Sequence, residues 1–316
     1  MNDSEKFIAA LQSRDLAALR QIPKADLHNH FVLGGSREYL RQKTGVQILP
    51  VAGTLHSMAE MHRWTAENMG ARFENGEMRR LLIEAAFVQA QRDGVTVLEI
   101  GEDVWALGAY FHNDIEELID TFESARRRVA PAVELRLQIG LSRHCQVRDL
   151  LAWLAPFWGR KEFYSIDLYG DETAQPIENF IPIYQKAGDY GLKRKAHLGE
   201  WGTAEDVVRG VQVLGLEEVQ HGIAAAASPA AVRYLRDHHI RLNITPSSNV
   251  LLGRVGSMAE HPIARLCRAG VPVTVNSDDV LIFDSEVPKE YLILYHHNVL
   301  SAQELDAIRR EGLQKR

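Results

Sequence analysis

Two histidines separated by one residue, His28 and His30, lie in the segment ADLHNHFVLGGS at residues 25–36. The flanking residues favour a short strand over 25–31, and side chains two apart on a strand point to the same face. Imidazole nitrogens that converge in this way are typical ligands of zinc and similar divalent ions. Such a pair also occurs by chance in a chain with 13 histidines, so further residues must complete any metal site.

Further imidazoles and carboxylates come at the ends of other predicted strands. The segment KRKAHLGE carries His197 and Glu200, EEVQHG carries His221, and VPVTVNSDD carries Asp278 and Asp279. Three imidazoles and one carboxylate would form an N,N,N,O ligand set that suits zinc. Each residue could also have a purely structural role. The aspartates could cap a helix, His221 could be a hydrogen-bonded histidine at a strand end, and Glu200 could be an exposed loop carboxylate.

The elements that would bring these residues together are eight predicted strands that alternate with helical patterns. We predict the strands at 25–31, 95–100, 133–139, 163–169, 193–198, 217–221, 240–244 and 272–276. The main helical stretches between them are 76–92, 114–129, 146–157, 178–190, 203–213, 228–237 and 262–269. Strands that alternate with helices indicate βαβ units and a parallel sheet. The fold class is therefore α/β, and a (β/α)8 TIM barrel would place the strand ends on one rim, where the active sites of such barrels lie.

The structural rival is a doubly wound open sheet. It would normally carry a G-x-G-x-x-G turn after the first strand, and VLGGS at 32–36 does not supply one. We predict a single domain over 1–316, with an N-terminal helix within 1–22 and an insertion of extra helices between strand 1 and strand 2 at 32–94. Within that insertion, His62 and Trp64 belong to a region, 55–92, that could cover the mouth of the barrel as a lid.

Composition limits the possible partners. The chain has 46% hydrophobic and 25% charged residues and a formal net charge of −6, so it offers no basic surface for nucleic acid or an anionic membrane. We find no signal peptide and no apolar run long enough to span a membrane. Two cysteines, Cys145 and Cys267, cannot form a disulfide framework. These features favour a cytoplasmic protein that acts on a small molecule.

The chain resembles the adenosine/adenine deaminase family of the metal-dependent amidohydrolase superfamily. The resemblance runs from Pro23 to about residue 292 and rests on segments that stand in the family order: PKADLHNH, IDLYGDE, HLGE, QHGI, TPSSN and VTVNSDDVLIF. It implies a (β/α)8 barrel, one catalytic divalent metal that is usually zinc, and hydrolytic release of ammonia from an aminopurine-type ring. The bridging lysine of binuclear relatives is missing from strand four, FYSIDLY, which favours a single metal.

The resemblance also implies individual roles. The metal ligands would be His28, His30, His197 and Asp278. Glu200 would donate a proton to the ring nitrogen beside the amino-bearing carbon, while His221 and Asp278 would take a proton from the attacking water. Asp279 would hydrogen-bond a further ring nitrogen, and the backbone N–H of Gly170 would face another.

Three segments depart from the nucleoside branch of the family, and one of them, at 99–105, departs from the free-base branch as well. Where that branch has an acidic residue after H-x-H that meets the sugar hydroxyl, this chain has Val32, which cannot accept a hydrogen bond. The stretch at 246–263 resembles the free-base adenine branch more closely. The carboxylates Glu102 and Asp103, in EIGEDVW at 99–105, could meet a polar substrate group, but we interpret them as solvated loop residues. The remaining histidines, including His144 and His261, are interpreted as surface or structural residues.

The predicted function is therefore hydrolytic deamination of an aminopurine: adenine, adenosine, or an N6-substituted or otherwise modified derivative. The alternatives are deamination of another amino-heterocycle, such as a pterin or a guanine-like base, hydrolysis of a cyclic amide by the same kind of barrel, and a catalytically silent barrel used for binding. An intact Glu200 and both aspartates argue against the silent barrel, which would need no proton donor.

Overall fold

A computed structural model describes residues 1–315 of the 316, and within them eight parallel strands form one sheet in chain order. The strands are β1 (Lys24–Asp26), β2 (Val95–Asp103), β3 (Glu134–Ser142), β4 (Phe163–Tyr169), β5 (Lys193–Leu198), β6 (Glu218–His221), β7 (Arg241–Ile244) and β8 (Val273–Val275). Each strand pairs with the next in parallel register.

The segments that follow β1 and β8 close the sheet into a barrel. Asn29 and Asp278 form a parallel bridge, and the Asp278 backbone N–H donates to the His28 carbonyl oxygen at 2.8 Å. Nearby, the Leu27 N–H donates to the Asn276 side-chain oxygen at 2.8 Å. The predicted TIM barrel is confirmed.

Helices connect the strands on the outside of this barrel. They are α1 (Asp3–Gln12), α2 (Leu16–Arg20), α3 (Arg37–Thr44), α4 (Met58–Asn68), α5 (Gly76–Asp93), α6 (Ala106–Tyr110), α7 (Ile115–Val129), α8 (Val147–Trp153), α9 (Ile181–Asp189), α10 (Ala204–Leu214), α11 (Pro229–Asp237), α12 (Pro246–Leu251), α13 (Ile263–Arg268), α14 (Val280–Phe283), α15 (Val287–His296) and α16 (Ala302–Gly312). Short 3₁₀ helices lie at Gly70–Phe73, Ala155–Phe157, Ile177–Phe180, Ile223–Ala227 and Met258–Glu260. None of the helices within residues 1–315 is long and apolar enough to cross a membrane.

Helix α10 shows how the sequence specifies these elements. Thr203 and Asp206 form a capping box at its start, so backbone N–H groups that the first turn leaves free gain partners. The apolar Val207, Val211 and Leu214 repeat at helical spacing and are buried against the barrel. Gly215 ends the helix with φ 62°, a left-handed conformation that glycine adopts without steric cost.

Buried charges fill the barrel one layer below the rim. Lys195 lies two residues before His197 on β5, and its ammonium is 2.7 Å from a Glu99 oxygen and 2.9 Å from a Glu218 oxygen. Arg241 also pairs with Glu218. Because these groups neutralise one another and are buried, they provide a rigid floor beneath the side chains of the rim.

Several element boundaries differ from the sequence-based expectation. β1 ends at Asp26 rather than at residue 31, because the backbone after it turns toward β8 and pairs there only at Asn29. β2 continues to Asp103. The N-terminal segment, predicted as one helix, forms α1 and α2, since Arg14 adopts φ 55° and Asp15 caps a new helix.

Candidate active site

Four imidazoles meet at the C-terminal rim of the barrel. The His28 ring lies with its centroid 4.7 Å from that of His197 and 4.5 Å from that of His221. His30 lies 5.0 Å from His197 by the same measure. Asp278 completes the group, with one oxygen 3.9 Å from His28 Nε2 and 3.7 Å from His30 Nε2. The residues predicted from three distant segments as metal ligands are therefore neighbours.

The orientation of the rings leaves their Nε2 atoms available. His28 Nδ1 lies 2.9 Å from the Asn243 carbonyl oxygen, and His197 Nδ1 lies 3.3 Å from an Asp167 oxygen. A ring that donates Nδ1–H to such an acceptor keeps the lone pair on Nε2, as metal-binding histidines do. His28 Nε2 is buried without a hydrogen-bond partner. A divalent ion would satisfy that atom, so the residues fit a metal.

Electrostatics support the same arrangement. Burial lowers the pKa of His28 to about 3, which keeps its ring neutral and able to coordinate. Burial also opposes protonation of His197, but the negative charge of Asp167 and the hydrogen bond to it outweigh this and raise the His197 pKa. Asp167, two residues before Tyr169 on β4, was not predicted as a site residue.

The backbone at Asp278 and His221 is strained. Both residues adopt positive φ, 60° and 62°, in the left-handed region that side-chain-bearing residues seldom occupy. Such conformations cost of order 1–3 kcal/mol each and persist where the surrounding structure enforces them. Here the bridge between Asn29 and Asp278 and the sheet hydrogen bonds of β6 enforce them, so both side chains point into the rim.

His221 and Glu200 face each other beside the imidazole cluster. His221 Nε2 lies 3.5 Å from a Glu200 oxygen, and its Nδ1 lies 3.0 Å from the Thr245 hydroxyl and 3.2 Å from the Asn249 amide nitrogen. Burial, followed by the neighbouring His28, holds the pKa of His221 well below its usual range. The His221 ring is therefore held in its neutral form.

Glu200 and Asp279 both favour the protonated form. Burial raises the pKa of Glu200 well above its usual range, and the charges of Asp278 and Glu172 act in the same direction. Burial also raises the pKa of Asp279 well above its usual range, with Asp278 and Glu200 adding to the effect. Each carboxyl has one buried oxygen without a partner, so each has hydrogen-bonding capacity left for a ligand.

Glu200, Asp279 and His221 line a cavity of about 310 Å³, a size suited to a small molecule. Gly170, predicted to offer its N–H, also lines it. The apolar part of the lining includes Phe31, Val32, Leu33, Met58, Met61 and Leu252. His62 lines the cavity, as its place in the predicted lid region suggested, whereas Trp64 is buried among core residues.

The interpretation of three residues is corrected. Glu102 and Asp103 are buried rather than solvated, because β2 extends through both and the Arg79 guanidinium of α5 pairs with Glu102. His144, taken as a surface or structural histidine, lines the cavity. The pairing of Arg79 with Glu102 was missed because nothing in the local sequence indicates that α5 supplies a cation to β2. His261 is buried and structural, since its ring accepts from the Ile263 N–H.

Comparison with known proteins places this geometry in context. The family model for adenosine deaminase matches residues 23–315. A Treponema pallidum protein assigned as an adenosine/adenine deaminase is 33% identical over 270 residues, which cover 85% of this chain and 90% of that protein.

Two solved structures share the fold. The adenine deaminase of Arthrobacter aurescens is 24% identical, with a TM-score of 0.77 and coverage of 93% of this chain and 94% of its own. A Burkholderia ambifaria amidohydrolase with bound zinc is 18% identical, with a TM-score of 0.76 and coverage of 93% and 85%. Because the family model spans nearly the whole chain, this protein belongs to the adenosine deaminase family.

Proposed function

We propose that the protein is a metal-dependent hydrolase that releases ammonia from an aminopurine. One observation carries the proposal: the Glu200 carboxyl and the His221 imidazole face each other 3.5 Å apart beside a set of side chains that could hold a metal, at one small cavity. Hydrolytic deamination needs one group that gives a proton and another that takes one. Membership of the adenosine deaminase family supports this reaction over other uses of a TIM barrel.

The metal would be held by His28, His30, His197 and Asp278, and we propose zinc. Three imidazoles and one carboxylate are ligands that zinc prefers, and the amidohydrolase of Burkholderia ambifaria holds this metal. When bound, such an ion lowers the pKa of water from about 15.7 toward about 7, which makes hydroxide available at neutral pH.

The protein side chains would then divide the proton transfers. Glu200 would give its proton to the ring nitrogen beside the amino-bearing carbon, so that the ring can accept electrons as water adds. His221, neutral before the reaction, would accept the proton of the attacking water and pass it to the departing amine, with Asp278 sharing the role of base. Asp279 and the N–H of Gly170 would hydrogen-bond further ring nitrogens and fix the orientation of the ring.

The apolar side chains that line the cavity bear on which part of the substrate is recognised. Val32, two residues after His30, has no side-chain acceptor, so we propose that recognition depends on the purine ring more than on a sugar hydroxyl. Helix α4, which contributes Met58, Met61 and His62 to the cavity, would cover the bound ring.

With Cys145 and Cys267 both free, we propose that the enzyme is cytoplasmic.

Ammonia release measures this function directly. Zinc-loaded protein would be assayed with adenine, adenosine, N6-substituted adenines, deoxyadenosine, guanine and pterins, and the product in which oxygen replaces the amino group would be identified by mass. Turnover of at least one aminopurine, with ammonia and product in equal amounts, is expected. Absence of ammonia from all of them, together with hydrolysis of a cyclic amide such as dihydrouracil, would overturn the proposal.

A further inference from the structure

The carboxylate of Glu172 is bonded to three consecutive backbone N–H groups of another loop. One oxygen accepts from Gly199 N at 2.7 Å, and the other accepts from Glu200 N at 2.9 Å and from Trp201 N at 2.7 Å. Glu172 follows β4, whereas the three donors follow β5, so the contact joins two adjacent βα loops at the rim. Three N–H donors on one carboxylate fix its position relative to the loop that supplies them.

The three N–H groups converge because of how the chain leaves β5. Gly199 adopts φ 69°, and a side chain there would meet Val207 at 2.4 Å. This turn directs successive N–H groups to one side, which forms a small anion-binding concavity. Glu172, only 8% exposed, occupies that concavity, and the backbone of the Glu200 segment therefore has an internal partner that does not depend on any ligand.

We infer that Glu172 is a positioning residue that holds the Glu200 carboxyl at the ring nitrogen of the substrate. The inference rests on the proposed function for the role of Glu200 as proton donor, and it adds that the donor's place is set by a second carboxylate. Glu172 itself does not line the cavity that contains Glu200 and the metal-ligand side chains. It therefore acts on the reaction through the backbone of residues 199–201 rather than by contact with substrate.

The surroundings of Glu172 make the anchor rigid and give a second way to disturb it. A methyl group added at Gly202 would come 2.7 Å from a Glu172 oxygen, closer than such contacts permit, so Gly202→Ala would displace the carboxylate without changing any charge. Proton transfer requires the donor within hydrogen-bond reach, and a misplacement of about 1 Å can cost roughly 100-fold in rate.

The first test separates kcat from KM. In Glu172→Gln the amide oxygen can keep the bonds from Glu200 and Trp201, but the amide NH₂ would face the Gly199 N–H, donor against donor. We expect kcat to fall about 10- to 100-fold with KM and zinc content within about twofold of wild type. Gly202→Ala should lower kcat in the same direction. The matched control is Glu178→Gln, which removes a charge paired with Arg209 outside the cavity and should leave kcat unchanged.

A double variant decides whether the effect passes through Glu200. If Glu172 acts by placing that carboxyl, Glu172→Gln combined with Glu200→Gln should be about as slow as Glu200→Gln alone, because groups that act as a unit are not additive. Hydrogen exchange at the amides of Gly199, Glu200 and Trp201 should be faster in Glu172→Gln than in wild type. This measurement needs no substrate.

Two results would overturn the inference: a kcat of Glu172→Gln within twofold of wild type, or losses that multiply in the double variant, as an unrelated structural defect would produce. Failure of the proposed function gives a different result. In that case wild type itself releases no ammonia, or Glu200→Gln is as fast as wild type, while the hydrogen exchange of residues 199–201 still reports whether Glu172 holds their N–H groups.

Discussion

The Nε2 atoms of His30 and His197 lie 3.1 Å apart, although the two residues are separated by 167 positions in the chain. Two imidazole lone pairs at this distance repel each other unless a proton or a cation lies near both. Burial and the neighbouring His197 lower the pKa of His30, which disfavours an extra proton on that ring. A metal ion coordinated by both rings would relieve this repulsion, and the response to metal is the first property to measure.

Removal of metal should abolish turnover and lower thermal stability. A chelator should reduce ammonia release to background, and one equivalent of zinc should restore it. Because the ion would bind the folded state far more tightly than the unfolded chain, the Tm should rise on zinc addition. The measurement is a thermal melt with and without zinc, beside metal content by mass spectrometry.

A matched pair of histidine variants tests where that metal binds. His197→Ala should lose most of its zinc and its zinc-dependent rise in Tm, whereas His112→Ala, a change at a histidine whose side chain is 83% exposed, should keep both. Full zinc binding by His197→Ala would contradict the ligand assignment.

Substitution Glu200→Gln should leave zinc bound and lower kcat by about 10²- to 10⁴-fold, the usual range for loss of a general acid. Glutamine fills the same volume but has no proton of suitable acidity to give to the ring nitrogen. The control is Glu205→Gln, a change at an exposed carboxylate in the first turn of α10. A Glu200→Gln enzyme as fast as wild type would remove Glu200 from the mechanism.

Asp103 should make stability depend on pH. Burial, with a smaller contribution from Glu102, raises the pKa of Asp103 from 3.8 to about 7. The folded state therefore binds a proton more tightly than the unfolded chain, and its contribution to stability is complete below pH 3.8 and is lost as pH rises through about 7. At about 1.4 kcal/mol per pKa unit, the loss between pH 5 and pH 8 reaches roughly 2–3 kcal/mol.

The matching variant is Asp103→Asn, which can still accept from the Trp105 N–H and donate to the Tyr169 hydroxyl oxygen. Relative to wild type, it should gain stability as pH rises from 5 to 8, as measured by urea unfolding. Asp120→Asn, at an exposed position on α7, should show a constant difference from wild type. Parallel pH curves for Asp103→Asn and wild type would show that Asp103 does not titrate in this range.

The sequence pattern predicted the barrel, and the meeting of its polar strand ends at one rim, because both depend on local signals. Strand and helix periodicity indicated eight βα units, and His197, His221 and Asp278 each lie at or just after the end of a predicted strand, where a parallel barrel gathers its side chains. β1 was predicted too long because the local sequence does not show that the backbone of residues 27–31 is turned by pairing with the segment after β8.

Two contacts between neighbouring elements could not be predicted from the sequence. The pairing of Arg79 with Glu102 brings α5 onto the end of β2, and the three N–H groups bound by Glu172 come from the next βα loop. Neither is marked by spacing, since each depends on how one loop folds over another. Charged residues in a loop are usually solvated, and this expectation fails where a neighbouring element supplies the opposite charge or the donors.

Helix α4 offers the last prediction, which concerns substrate binding rather than chemistry. Met61 lines the cavity, while Trp64 on the same helix is 9% exposed and anchors α4 to the core. Burying a methionine side chain contributes about 1.5–3 kcal/mol. Because only part of that area would be covered by a bound ring, Met61→Ala should raise KM about 3- to 10-fold and change kcat less than twofold. Glu67→Ala, on the exposed face of α4, is the control. An unchanged KM in Met61→Ala would mean that α4 does not cover the substrate.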